Sequence, residues 1–455
     1  MANNRVVIIG AGAAGLAAAR ELSRAGLEVI VLEARERIGG RVFTHRETQA
    51  AAPIEFGAEF VHGKAPELWQ IAQAANLELH EVSGRHWFLE SGKVSKSGEF
   101  WRTIERLTDK MKSSDRDQSL KEFLAALPDD EETRRARSML VRYVEGFHAA
   151  NIERIGIHGL VRATEAADEI DGNEAFRLTD GYDSLMQAMR GEAASHGATF
   201  RLNTIVKGIR WDGREIDITC EVNAGDVERI TASRVIVTLP LGVLKNGIVF
   251  NPALPAGKRA AIENLPMGNV IKINLLFRER FWETLKLWDE NANLIDFRDA
   301  GFFHCPGAPL PTWWTQMPLR APMLVGWTGG PNADRLMKEA TGRRRQAAGE
   351  DNSEVTPGLL DQATSSLAIV FNLSRREIEN QLEAAHAHNW RDDPFTRGAY
   401  AYLPVNGLEL QKQLAQPIDN KLFFAGEATS VGHIGTVHGA IQSGQRAARE
   451  ILNQA

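Results

Sequence analysis

Only two cysteines, Cys220 and Cys305, occur in 455 residues. They could pair with each other, but two thiols in so long a chain exclude a disulfide scaffold. No apolar run reaches bilayer-spanning length, so no membrane-crossing helix is expected. No tract of basic residues is present either. The 53 Lys and Arg against 59 Asp and Glu leave a net charge of −6, too mild to point to nucleic acid. No segment long enough for a secretory leader precedes the apolar run at Val6, so cytoplasm is the default with Met1 as the start. Neither a membrane nor a nucleic acid is expected as a partner. What is present is 43% hydrophobic content over a length that suits two or three domains, enough for sizeable cores.

The richest stretch is the first forty residues. Arg5–Ile9 reads as a buried strand, Gly10-Ala11-Gly12-Ala13-Ala14-Gly15 as a glycine turn, and Leu16–Ala25 as a helix. Val29–Leu32 is a second strand, and it ends on Glu33. This order is that of a dinucleotide-binding unit. Gly10 permits the tight turn, Gly12 lets backbone approach a pyrophosphate, and Gly15 lets helix pack on strand. Free amides at the helix start face phosphate anions, and Glu33 is placed to accept from a ribose diol.

The unit ends near residue 40, and similar pieces recur far along the chain. Asp183–His196 reads as a helix, Thr199–Leu202 as a strand, and Ile216–Val222 with Glu228–Ile230 as an antiparallel pair. Val235–Pro240 and Lys421–Gly426 read as further strands of the nucleotide-binding sheet, the latter followed by a helix over Gly439–Asn453. The expected class is α/β (α+β overall). Residues 1–85, 178–250 and 398–455 form a Rossmann-like domain from discontinuous segments, and 86–177 with 251–397 form a mixed-sheet and helical substrate domain. Within the latter, Thr103–Lys112 and Asp130–Tyr143 read as helices and Val270–Phe277 and Met323–Trp327 as strands. The polar stretch Gly342–Glu354 reads as a surface loop.

The cofactor follows from Ala34-Arg35-Glu36-Arg37-Ile38-Gly39-Gly40-Arg41. A second glycine pair and an arginine after the ribose acid suit FAD, whose pyrophosphate continues past the first turn. With GAGAAGL at Gly10–Leu16, LEARERIGGRV at Leu32–Val42 and FGAEFVHG at Phe56–Gly63, the chain resembles the flavin-containing amine oxidases. That superfamily includes monoamine oxidases, polyamine oxidases and lysine-specific histone demethylases. VTLPLGVLK at Val237–Lys245, MGNVIKINLLFRERFW at Met267–Trp282, DPFTRGAYAY at Asp393–Tyr402 and FFAGEATSVGHIGTVHGAIQSG at Phe423–Gly444 extend the likeness over nearly the whole chain.

The resemblance implies site residues. Gly10, Gly12, Ala14 and Gly15 would hold the pyrophosphate and Glu33 the adenosine ribose. Ala34, Arg35, Gly40 and Arg41 would hold the diphosphate and ribityl side, and Gly57, Ala58 and Glu59 would lie against the flavin edge. Val206 would meet the adenine. Gly426 and Glu427 would hold the ribityl chain or phosphate near the start of the last helix, with an ordinary helix-start carboxylate as the competing reading of Glu427. Thr436 and Val437 would approach the isoalloxazine, and Trp390 would pack beside it or serve as a core aromatic. Ala399 stands where monoamine oxidases carry the cysteine that bonds to flavin, so the FAD is expected to be non-covalent.

Lys272 lies in the apolar run Val270–Phe277. Burying a lysine there is costly without partners, but alternation equally allows Lys272 and Asn274 a wet face. The resemblance places Lys272 beneath the flavin N5, where it would organise a water and assist reoxidation by O2. Tyr400 matches one wall of the substrate passage, and Thr436 stands where monoamine oxidases have a second tyrosine. His62 matches a substrate-side histidine or glutamate of polyamine oxidases, or it is a local hydrogen-bonding residue. The run Glu165, Asp168, Glu169 and Asp171 either draws in a cationic amine or is a solvated face. Trp313 and Trp314 line the cavity or belong to the core. His386 and His388 have no further ligands at metal spacing, so no metal is expected. Ser184 and Ser443 lack a nucleophile's setting.

The expected reaction is oxidation of a small amine by hydride transfer to flavin N5. The imine hydrolyses to a carbonyl, and O2 reoxidises the flavin with release of H2O2. A homodimer is compatible with these expectations. One rival is an L-amino-acid oxidase or a flavin desaturase on the same fold; the former needs a carboxylate-clamping arginine, for which Arg85, Arg298 and Arg320 are candidates. Another is a non-enzymatic flavin-binding protein.

Overall fold

The computed structural model describes residues 5–48, 50–90, 93–96, 100–222, 225–288, 294–341 and 355–454. The expected loop over Gly342–Glu354 lies outside the described residues. Strand β1 (Arg5–Ile9), helix α1 (Ala13–Arg24) and strand β2 (Glu28–Leu32) form the opening unit. Helix α1 starts earlier than the periodicity suggested, because Gly12 is itself the N-cap residue.

Five parallel strands make one sheet, in the order Thr199–Arg201, β2, β1, Arg234–Val237 and Leu422–Phe424. Alternation along β1 sends Val6 and Ile8 into one core and Val7 and Ile9 into another, all of them buried. That double burial is why the strand reads as an unbroken apolar run. One face is covered by α1, by Asp183–Ser195 and by the last helix, Val437–Leu452. The other face meets an antiparallel sheet built on Thr204–Arg210, Ile216–Val222 and Asp226–Ala232. Because the five strands run the same way, their carboxyl ends deliver Gly10, Glu33, Thr238 and Gly426 to one edge, where α/β sheets bind ligands.

A second sheet has seven strands, ordered Leu382–Ala387, Val270–Phe277, Met323–Gly329, Thr312–Trp314, Ala300–His304, Arg85–Glu90 and Lys93–Lys96. It is mixed, with Ala300–His304 running parallel to Arg85–Glu90. Val270–Phe277 is buried at every position, so the strand has no wet face. Helices Phe100–Lys112, Glu131–Phe147 and Ile157–Asp168 share a separate core. Short pairings stitch the sheets together: Gly268 opposes Tyr400, and Val61–His62 pairs with Ala175–Leu178.

Cys220 and Cys305 are buried in different cores and form no disulfide with each other. No helix among the described residues is long and apolar enough to cross a membrane.

Candidate active site

The carboxyl edge of the parallel sheet opens into a cavity of about 2040 Å³ that continues to the seven-stranded sheet. Its first end is shaped by what glycine leaves out. Gly10 has φ +106°, and a Cβ there would lie 2.6 Å from Thr238 Oγ1. Gly12 bridges to Gly39, and a Cβ on Gly40 would meet Gly12 Cα at 3.5 Å. The two glycine turns thus press backbone against backbone and line the cavity with main chain. Gly15 is absent from the cavity wall: a Cβ there would fall 1.9 Å from Gly10 O, so its part is helix packing rather than phosphate contact. Ala14 and Val206 do line the cavity.

Glu33 is 6% exposed and accepts from the amides of Ala11 at 2.8 Å and Arg35 at 3.0 Å. Those bonds fix its carboxylate at the cavity wall beside Ala34. Arg35 is itself anchored by Asp393 at 2.7 Å and Thr396 at 3.0 Å. Further along, Arg41 donates to Ala399 O at 2.6 Å and to Glu427 at 2.8 Å. Glu427 also accepts from the amide of Gly435 at 3.0 Å and is buried. It follows Gly426, whose φ is +134°, in a short 3-10 turn, and Val437 rather than Glu427 starts the last helix. The helix-start reading of Glu427 is therefore corrected: it clamps Arg41 to the Gly435 turn.

Gly57 lies on the cavity wall, and a Cβ there would lie 1.8 Å from Arg41 O and 3.2 Å from the Trp390 ring. Trp390 is buried and donates to Phe56 O at 2.9 Å, holding that backbone. Ala58 and Glu59 follow on the wall. Glu59 is the hub of a buried charge cluster. Lys272 Nζ sits 2.7 Å from Glu59 Oε2 and donates to Gly57 O at 3.1 Å. Arg177 Nε and Trp314 Nε1 each donate to Glu59 Oε1 at 2.9 Å. Burial alone would raise the Glu59 carboxyl, but the charges of Lys272 and Arg177 overcome it and hold it at about 2. Lys272 is thus buried and paired, not solvated. Beside it Glu55, which accepts from Tyr182 N at 2.7 Å and Thr44 Oγ1 at 2.9 Å, is pushed up by burial to about 7.

The far end is aromatic, with Phe60, Tyr143, Phe147, Trp314 and Trp327 on its wall. Tyr400 donates to Phe147 O at 2.8 Å, and burial raises its phenol. His62 packs edge-on to Phe147 at 5.6 Å, and burial pushes it down to about 4, leaving a neutral imidazole. Val437 and Thr436 line the cavity, but the Thr436 hydroxyl caps the last helix, accepting from Gly439 N at 3.0 Å and donating to His433 O at 2.7 Å. That hydroxyl is spent on the fold, so Thr436 offers the cavity its methyl and backbone only. Trp314 reaches the cavity, whereas Trp313 is a core residue bonded to Leu310 O.

Several candidates fall away from the site. Glu165 and Glu169 pair with Arg162, and Asp171 with Lys64; only Asp168 of that run lines the cavity. Arg85, Arg298 and Arg320 pair with Asp299, Asp296 and Glu283, outside the wall. None of the three is placed as a carboxylate clamp. Ser184 and Ser443 hydrogen-bond within their own helices' surroundings, at Gly181 O and Ala440 O.

The glycine cradle, the Glu33 carboxylate on its wall and the long cavity fit FAD. The Flavin containing amine oxidoreductase family matches residues 13–452. Polyamine oxidase 3 of Oryza sativa subsp. japonica is 29% identical, covering 98% of this chain and 88% of its own length. Lysine-specific histone demethylase 1 homolog 2 of Arabidopsis thaliana is 30% identical over 99% of this chain and 58% of its own. Wild-type putrescine oxidase bound to putrescine has the same fold, with a TM-score of 0.77, 22% identity and 99% of both chains covered. So does cyclohexylamine oxidase from Brevibacterium oxydans IH-35A, at a TM-score of 0.78 and 20% identity over 99% of both chains. The chain belongs to the flavin-containing amine oxidoreductase family and is an amine oxidase that uses FAD.

Proposed function

We propose that this enzyme oxidises a small amine at its α carbon, with the amine bound as the free base between Tyr400, His62 and the aromatic wall. Residues 1–85, 178–250 and 398–455 would hold FAD, and 86–177 with 251–397 would supply most of the substrate wall. The observation that carries the reading is the buried Lys272–Glu59–Arg177 cluster at the cavity floor, beside a backbone position that tolerates no side chain.

Bound FAD supplies the hydride acceptor, the resulting imine hydrolyses to a carbonyl, and O2 takes up the electrons as H2O2. The chain's own part is orientation, water exclusion and charge. Gly10, Gly12, Ala14, Glu33, Arg35, Gly40 and Arg41 would bind the dinucleotide. Gly57 and Ala58 would admit the ring edge, with Trp390 fixing the backbone that carries them. Lys272 would hold a water at that edge and offer positive charge to reacting oxygen, which stabilises developing negative charge. Hydride leaves the α carbon only when the nitrogen lone pair is free, so the amine sheds its proton before reaction, and neutral His62 can accept from its N–H.

The relatives named polyamine oxidase and putrescine oxidase bring polyamines and diamines forward as the first substrates to try. The test is anaerobic bleaching of the bound flavin by monoamines, diamines, polyamines and L-amino acids. The proposal expects bleaching by at least one amine class, with efficiency rising from pH 6 to 10 through the amine's pKa. Bleaching by L-amino acids alone, or a flat pH profile, would contradict it.

A further inference from the structure

A second cluster of chemistry-bearing side chains lies outside the cavity wall. Thr44–His45 and Ile54–Glu55 pair as a small antiparallel hairpin, and the chain between them carries Glu47. His386 stands on the strand Leu382–Ala387, opposite Asn274 of the Lys272 strand. The fold brings these together so that His386 Nε2 and Glu47 Oε2 are 2.9 Å apart. The His45 ring lies 5.6 Å from that of His386 and stacks on Phe56 at 5.6 Å. One ligand atom from each of His45, Glu47 and His386 lies within 4.8 Å of the other two. Among the described residues this is the only such group of three.

Two features distinguish the cluster from an ordinary histidine–carboxylate pair. Glu47 Oε2 and His386 Nε2 are both shielded from solvent and neither makes a hydrogen bond, so their close approach is not directed as one. A pair also leaves no part for the second imidazole. Two imidazole nitrogens and a carboxylate oxygen are the donor set of a borderline divalent cation. With metal–ligand distances near 2.0–2.1 Å, tetrahedral ligand atoms stand roughly 3.3 Å apart, which small side-chain rotations reach from this arrangement. Although those two atoms are shielded, the side chains that carry them are 20% and 33% exposed, so the cluster lies near the surface, within reach of an ion from solvent.

We propose that His45, Glu47 and His386 form a binding site for Zn2+ or a similar divalent transition metal. The ion ties the 45–47 segment to the edge strand of the seven-stranded sheet. It sits behind Phe56, whose ring contacts both histidines. The role is that of a structural pin, and binding requires no turnover. Sequence spacing conceals the site, because its third ligand comes from the other end of the chain.

The experiment is equilibrium dialysis of the chelator-treated holoenzyme against Zn2+, read by metal analysis and by thermal unfolding. The expected result is saturable uptake of one Zn2+ per chain with a rise in Tm. His45→Ala and His386→Ala are each expected to lose that equivalent while keeping the FAD absorbance. Glu47→Gln, a change on a half-exposed segment, is expected to weaken binding at least tenfold and decides the matter if either histidine variant fails to fold. Absence of saturable uptake by the unaltered protein would overturn the proposal. So would uptake that Glu47→Gln leaves unweakened, or that either folded histidine variant retains.

Discussion

Glu59 balances buried Lys272 and partly buried Arg177 at once, with a side chain that is only 4% exposed. Removing its charge strands Lys272 and Arg177 in low dielectric, where an uncompensated ion is far costlier than a missing ion pair is worth. Glu59→Gln is therefore expected to lower stability by about 3–5 kcal/mol, measured by urea unfolding of the holoenzyme; an unchanged midpoint would show that the cluster is better solvated than its burial implies. At this scale the glycines and Glu33 were legible because their constraints are local. Glu59 was legible only as a member of a motif. Its partners Arg177 and Trp314 arrive from 118 and 255 positions away, and no local pattern signals them. Gly15 and the Thr436 hydroxyl were given cofactor or substrate work that the packing of α1 and the capping of the last helix claim instead.

Elements were more legible than their ends. The run Val270–Phe277 announced a strand, but its period-2 alternation left Lys272 with two readings until the sheet on both sides buried every position. The last helix begins at Val437 because the Thr436 hydroxyl accepts from Gly439 N. That cap fixes the wall residue Val437. Thr436→Ala is expected to cost about 1 kcal/mol, the usual worth of an N-cap. A fall in Tm together with weaker FAD retention would mark the cap as the holder of that wall, while an unaltered Tm would contradict the assignment. The hairpin that carries His45 was not legible, since two-residue strands have no period to read.

For the whole molecule, which segments belong to the parallel sheet followed from the discontinuous αβ pieces, whereas their order and the meeting of two sheets around one cavity could not be read locally. The buried carboxyls at that meeting place set a pH dependence. Burial raises Glu55 to about 7, above the ordinary carboxyl value of 4.5. Between those values the folded chain keeps a proton that the unfolded chain has released. Its stabilising contribution is complete below that window and is lost as pH rises through 7. Glu55→Gln, which can still accept from Tyr182 N but does not titrate, is expected to flatten the decline in Tm between pH 5 and 8; an unchanged slope would assign the decline elsewhere. The measurement that tests the central claim most directly needs no substrate, because bound FAD can be reduced photochemically and then mixed with O2. If Lys272 faces the flavin from the cavity floor, Lys272→Met slows reoxidation at least tenfold, a loss of about 1.4 kcal/mol or more in barrier terms, while FAD stays bound. Reoxidation at the unaltered rate in a variant that keeps its flavin would contradict the account.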